Sequence, residues 1–354
     1  MTEKVFYKNL NSIFDKALKI PLSNEDNFVI FSDLHMGDGS SKDDFKHNSE
    51  LFLCALKEYY FPRQFKLILN GDVEELQRFK LKKIMDSWGG IYNQFNLFRK
   101  ADAFYKTVGN HDLTLVHHEG YLKDFEIFNA LRLNYQDDDI FLFHGHQASK
   151  KYETLNHLIG LTLKYIANPL RIKNYSVSHS SKKQYKLEKK VYHYSSFNKI
   201  ASIIGHTHRP LFESLSKAER LKYKIDQLCR EYSEEKNLSK KENLSKSIRQ
   251  FRKELKKFRR NNAEEAEDSL LYESSIHLPC LFNSGCVIGK RGMTGIEISG
   301  GEISLIHWFD KKISKKYLQY TGYEPEPLGN TDYFRMVINQ EKLDYVFSRI
   351  KLLA

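Results

Sequence analysis

The run IIGHTHRP, residues 203–210, carries a short apolar stretch through a glycine into two histidines one residue apart. Ala201 to Gly205 has the length of a buried strand, and side-chain alternation sets His206 and His208 on one side of the chain. Taken alone, a His-x-His pair fits a solvated loop equally well. The other apolar runs decide the matter. NFVIF (27–31) is followed by SDLH, with Asp33 and His35. FKLIL (65–69) is followed by NGD, with Asp72, and AFYKTV (103–108) by GNHD, with Asn110, His111 and Asp112. DIFLF (139–143) is followed by HGH, with His144 and His146. Each run is bounded by polar or glycine-containing turns, so five strands are expected, each ending in polar side chains. The stretches between them, such as 48–60, have helical length and composition. The fold expected is an α/β layered body. In such a sheet, sites form in the crevice beyond the carboxyl ends of the strands, where all five clusters can meet.

Aspartate, histidine and an asparagine carbonyl suit divalent ions such as Mn, Fe, Zn or Co, and the absence of cysteine from the set argues against a thiolate zinc site. There are more ligands than one ion needs. Two carboxylates, several imidazoles and an amide can hold two ions about 3.5–4 Å apart, with one carboxylate between them, an arrangement suited to phosphoryl transfer.

The order D-x-H, G-D, G-N-H-D, H-G, G-H-x-H at strand ends resembles the calcineurin-like metallophosphoesterase superfamily, over Asp33 to His208. The resemblance implies a β-sandwich flanked by helices, completed by strands near Asn283 and in GMTGIEISGGEISLIHWF (292–309). It implies that Asp33, His35 and His208 hold one metal, that Asp72 bridges, and that Asn110, His144 and His206 hold the second. His111 then donates a proton to the leaving oxygen or stabilises its charge, with Asp112 orienting it. The mechanism expected is in-line attack of a metal-bridging hydroxide on phosphorus. Arg209, beside His208, is a further candidate for a phosphate contact. LNGD, GHTHRP and the later FNSG look like the bacterial branch that includes UDP-2,3-diacylglucosamine pyrophosphatases. That branch commonly has arginine where this chain has His111. A pyrophosphate leaving group needs no proton, so His111 favours a phosphomonoester or phosphodiester, with the sugar-lipid pyrophosphatase as the alternative.

The net charge of +11 is unevenly placed. Between 217 and 260 there are 16 Lys and Arg against 7 Asp and Glu, which leaves the rest of the chain close to neutral. No proline or glycine occurs from 211 to 278. Leu221, Ile225, Leu228 and Tyr232, then Leu244, Ile248, Phe251, Leu255 and Phe258, recur at helical spacing, so two amphipathic helices are expected as an antiparallel hairpin. Ser239 and Glu242 form a capping-box pattern for the second. Its basic faces suit nucleic acid, an anionic membrane surface or a partner protein.

The expected organisation is a dinuclear domain over 1–210 and 270–320, a cap within it at 151–200, the basic hairpin at 211–269 and a C-terminal packing extension at 321–354. Leu343, Val346, Phe347 and Ile350 mark a helix in that extension. The four cysteines form no C-x-x-C pair, and no signal-peptide or membrane-spanning run stands out, so a cytoplasmic protein is expected, at most peripheral to a membrane. Two alternatives from other classes are a nuclease or nucleic-acid binder using the hairpin, and a noncatalytic scaffold. A scaffold has no physical need for seven metal-capable side chains at strand ends.

Overall fold

Phe28, Val29, Ile30 and Phe31 are all fully buried, which requires protein on both faces of their strand. The computed structural model describes residues 3–149, 181–215, 217–261, 277–318 and 324–354. Helix α1 (Glu3–Lys16) leads into strands β1 (Leu18–Leu22) and β2 (Phe28–Phe31), then α2 (Ser49–Cys54), which continues as a π-helical turn to Tyr60. Strand β3 (Lys66–Asn70), helices α3 (Leu81–Ser87) and α4 (Gly89–Lys100), β4 (Phe104–Thr107) and α5 (Glu119–Asp124) follow. Next come β5 (Leu131–Tyr135), β6 (Asp138–Leu142), α6 (Ser181–Asn198) and β7 (Ala201–Ile204). Helices α7 (Lys217–Glu234) and α8 (Leu238–Asn261) precede β8 (Leu281–Asn283), β9 (Met293–Ser299), β10 (Glu302–Asp310), β11 (Glu326–Pro327), β12 (Tyr333–Lys342) and α9 (Leu343–Leu353).

The strands form two sheets, ordered β1-β5-β6-β7-β8 and β11-β12-β10-β9-β2-β3-β4. Alternation along β2 explains its burial. Phe28 and Ile30 enter the core between the sheets, with Leu133, Ile140, Leu142 and Ile203 from the smaller sheet. Val29 and Phe31 enter the outer core, with Phe52 of α2, Phe95 of α4 and Trp308 of β10. Strands β2, β3 and β4 are parallel in one sheet, and β6, β7 and β8 are parallel in the other. The carboxyl ends of five strands therefore rise to a common crevice, as the α/β reading requires. The two-sheet architecture flanked by helices is the sandwich that the resemblance implied.

Several elements differ from expectation. The 321–354 stretch contributes not only α9, which buries Leu343, Val346, Phe347 and Ile350, but also β12, a strand between β10 and β11. Of the stretch read as a cap, 151–180 lies outside the described residues, and α6 supplies most of the remainder. Helices α7 and α8 share a seam of Leu221, Leu228 and Phe251, ringed by Ile225, Leu244, Ile248 and Leu255. Lys217 near the start of α7 pairs with Glu254 on the last two turns of α8 at 2.7 Å, so the two helices run antiparallel. The cap of α8 is Asn237, whose Oδ1 accepts from the Lys240 amide at 3.2 Å, in place of the Ser239–Glu242 box. Among the described residues no helix is long and apolar enough to cross a membrane.

Because Phe31 packs edge-on against both Phe52 and Tyr60, its ring cannot be replaced by collapse of one neighbour. Phe31→Ala is expected to lower unfolding free energy by about 3–5 kcal/mol, measured by urea denaturation. A loss below about 1 kcal/mol would contradict the two-faced burial of β2.

Candidate metal centre

The backbone places the ligands before their side chains do. Asp33, His35, Asp72, His206 and His208 all have positive φ, between 46° and 64°. This left-handed conformation costs a non-glycine residue about 1–3 kcal/mol, and it persists only where surrounding structure over-determines it. Here the loops are tied across the crevice. The Asp33, His35 and Met36 amides donate to the Gly71, Asp72 and Val73 carbonyls at 3.1, 3.0 and 2.8 Å. The Asn70 side-chain amide donates to the Phe143 carbonyl at 3.0 Å, and the Gly205 amide donates to the His144 carbonyl at 2.9 Å, so both sheets join the same network. The His206 amide donates to Asp33 Oδ2 at 2.9 Å.

The glycines of the motifs follow from this crowding. A Cβ on Gly71, at φ 81°, would stand 2.6 Å from His144 Cγ, and one on Gly109 would overlap the Asp72 carboxylate. No side chain fits at either position.

The side chains converge in two groups, Asp33 with His35 and His208, and Asp72 with His144 and His206. His208 Nε2 lies 3.0 Å from Asp33 Oδ1 and 3.1 Å from His35 Nε2. His144 Nε2 lies 3.1 Å from Asp72 Oδ2 and 3.9 Å from Asp33 Oδ1, and His35 Nε2 lies 3.9 Å from Asp72 Oδ2. Asp72 therefore faces both groups. Asp33 Oδ1, Asn110 Oδ1 and His144 Nε2 are buried and make no hydrogen bond within the described residues. A buried polar atom left in this way is costly, and a divalent cation would satisfy all three kinds of donor atom. The residues present fit such an ion.

A third group, His35, Glu75 and His111, was not anticipated. Glu75 Oε2 is 2.9 Å from His35 Nδ1, and its Oε1 is 2.9 Å from His111 Nδ1. Each ring thus rests one nitrogen on Glu75 and turns the other toward the crevice, as carboxylates commonly do for ligating histidines. The expectation that Asp112 orients His111 is corrected here. Asp112 is fully buried and accepts from the Gly109 and Val73 amides at 2.6 and 2.8 Å, bracing the loop instead. Its side chain is taken up by these two backbone donors, and the ring falls to Glu75. The signal was present in GDVEE, where a second carboxylate follows the strand-end aspartate by three residues. Its neighbour Glu74 points the other way and pairs with buried Lys106.

Arg209 also differs from expectation. Its guanidinium is held by Glu188 of α6, which accepts from Thr207 Oγ1 at 2.8 Å as well. Gln184 of α6 donates to the Thr207 carbonyl at 2.8 Å. Thr207 stands between the two histidines and Arg209 follows the second, so α6 fixes the loop, and the charge read as a phosphate contact is engaged in that clamp. His146 lies buried behind the site, with ring centroids 5.5 Å from His144 and 6.4 Å from His206, and belongs to none of the three groups.

Electrostatics reflect two buried carboxylates in one crevice. Burial opposes ionisation of Asp33, yet His208 and His144 outweigh it and hold the group at about 2. Asp72 is likewise held well below the usual carboxylate range, against burial, by His144 and His111. Glu75 is held at about 2, its burial outweighed by His111 and His35. Burial disfavours charge on His144 and His111 too, but Asp72 draws them up to about 10 and about 9, with help from Asp33 and Glu75 respectively. Burial and the nearby His144 push His206 down to about 3, which keeps its ring neutral and able to ligate.

Gly109→Ala is expected to weaken divalent-metal binding at least tenfold in calorimetric titration, with the far-UV circular dichroism of the folded chain retained. Unchanged affinity would mean that the Asp72 carboxylate does not need the position the glycine leaves open.

The geometry now meets an independent comparison. A family model described as calcineurin-like phosphoesterase matches residues 27–231, more than half of the chain. The match takes in β2 through β7 and every strand end described above. No curated protein matches the sequence. The chain belongs to the calcineurin-like phosphoesterase family and is a metal-dependent phosphoric ester hydrolase.

Proposed function

We propose that the chain hydrolyses a phosphomonoester or phosphodiester whose leaving oxygen must be protonated. In this reading Asp33, His35 and His208 hold one divalent ion, Asn110, His144 and His206 hold a second, and Asp72 lies between them; Mn, Fe and Zn all suit the donor set. When bound, two such ions supply charge neutralisation at the phosphoryl oxygens and an activated nucleophile at neutral pH.

The observation that carries the reading is the Glu75–His111 contact. Glu75 accepts from His111 Nδ1, which directs Nε2 toward the crevice, 4.0 Å from Asp72 Oδ2. A positioned imidazole beside the ligands can give its proton to a departing alkoxide. Glu75 holds the ring and favours its protonated form, while Asp112 shapes the loop that carries it. The sugar-lipid pyrophosphatase is the weaker alternative, because a phosphate departing from a pyrophosphate needs no such acid.

Alkyl and activated aryl phosphoesters separate the two readings. His111→Ala is expected to lower kcat about 10²–10⁴-fold on alkyl esters and no more than about tenfold on p-nitrophenyl esters, because only the former needs an acid. Glu75→Gln should show the same selectivity at smaller magnitude. Equal losses on both ester classes would remove His111 from the acid role, and undiminished turnover by Asp72→Asn would reject the site itself.

A further inference from the structure

From 247 to 260 the charge of α8 is segregated around its axis. The face packed on α7 takes Leu244, Ile248, Phe251 and Leu255. At about 100° per residue, Arg249, Arg252, Lys253, Lys256, Lys257 and Arg260 fall within an arc of about 140° on the other side. All six are exposed. They form four tiers three or four residues apart, at 249, 252–253, 256–257 and 260, so a single or paired charge stands about every 5 Å along a rise of about 16 Å. Glu254, the sole acidic residue from 247 to 260, is buried and paired with Lys217, and does not interrupt the row.

We propose that this face of α8 is a docking surface for the phosphate backbone of nucleic acid, bound without regard to base sequence. A nucleic-acid strand presents a fixed negative charge every few ångströms, so a basic row of similar repeat neutralises successive phosphates and releases their counterions. Arginine adds a planar fork that can take two phosphate oxygens at once. An anionic membrane is the poorer match. A helix lying on a bilayer buries an apolar face among the head groups, and α8 has already committed that face to α7. The docking needs no metal ion, so it stands or falls separately from the phosphoester chemistry.

Fluorescence anisotropy of a labelled DNA duplex of about 20 base pairs, with the full chain in EDTA and KCl varied from about 50 to 200 mM, tests it. Two variants are compared, one with Arg249, Arg252, Lys256 and Lys257 replaced together by Gln, the other with the exposed Lys8, Lys19, Lys100 and Lys123 replaced in the same way. Both lose equal charge. The α8 variant should bind at least tenfold more weakly and lose about 0.9 of log–log salt slope for each phosphate contact removed. The control should stay within about threefold of the parent, since the charges it lacks lie off the row. Hydrolysis of a small phosphoester by the α8 variant should match the parent, because none of its four sites belongs to the crevice. Equal loss in both variants, or no salt-dependent binding by the parent, overturns the proposal. So does binding to phosphatidylserine vesicles without binding to the duplex, which would assign the face to a membrane.

Discussion

Asp33 and Asp72 bring two buried carboxylates to one crevice, and much of the architecture answers the electrostatic cost of keeping both ionised. An isolated buried carboxylate would neutralise itself by taking up a proton. Here the compensation comes from around the pair: His208 and His144 beside Asp33, the His206 amide on its other oxygen, and the His111 amide on Asp72 at 2.8 Å. Asp72 raises the pKa of both His144 and His111 against the effect of burial, in keeping with a crevice that favours positive charge. Divalent cations would satisfy the same demand more fully, since the donor set also offers carboxylate, amide and imidazole atoms left without hydrogen bonds among the described residues.

That demand explains where strain is stored. Five of the residues facing the crevice sit in the left-handed region, and the cost is borne by a network that ties the two sheets together above their parallel strands. Helix α6 is part of it. Through Glu188 and Gln184 it holds Thr207 and Arg209 on either side of His208. These contacts tie a site assembled from five loops to a packed helix, the kind of support that holds ligating side chains in orientation.

Most of the strands with the ligands were legible because each combines a run of apolar residues with an abrupt polar ending, and FVIF, KLIL and ASII are nearly pure cases. Strands without that contrast were not. In β5, LRLNY alternates with polar residues, and in β12, YFRMVINQEK is polar over half its length, so neither stands out from a loop until its partners are known. The side chains at the strand ends announced themselves by type, and the structure brings them together. What they touch was less legible. Whether Asp112 or Glu75 reaches His111 depends on which carboxylate the loop turns inward, and whether Arg209 faces the crevice depends on Glu188, which lies 21 positions earlier in the chain. The hairpin seam followed from helical spacing alone, but its cap moved to Asn237 because the turn delivers that side chain to the first free amides.

The central claim is that the crevice holds a pair of ions with Asp72 between them. Anomalous diffraction from crystals grown with manganese measures it directly. Two peaks about 3.5–4 Å apart are predicted, one against Asp33, His35 and His208 and the other against Asn110, His144 and His206, with Asp72 touching both. A single peak, or a pair with Asp72 on only one of them, would contradict the account.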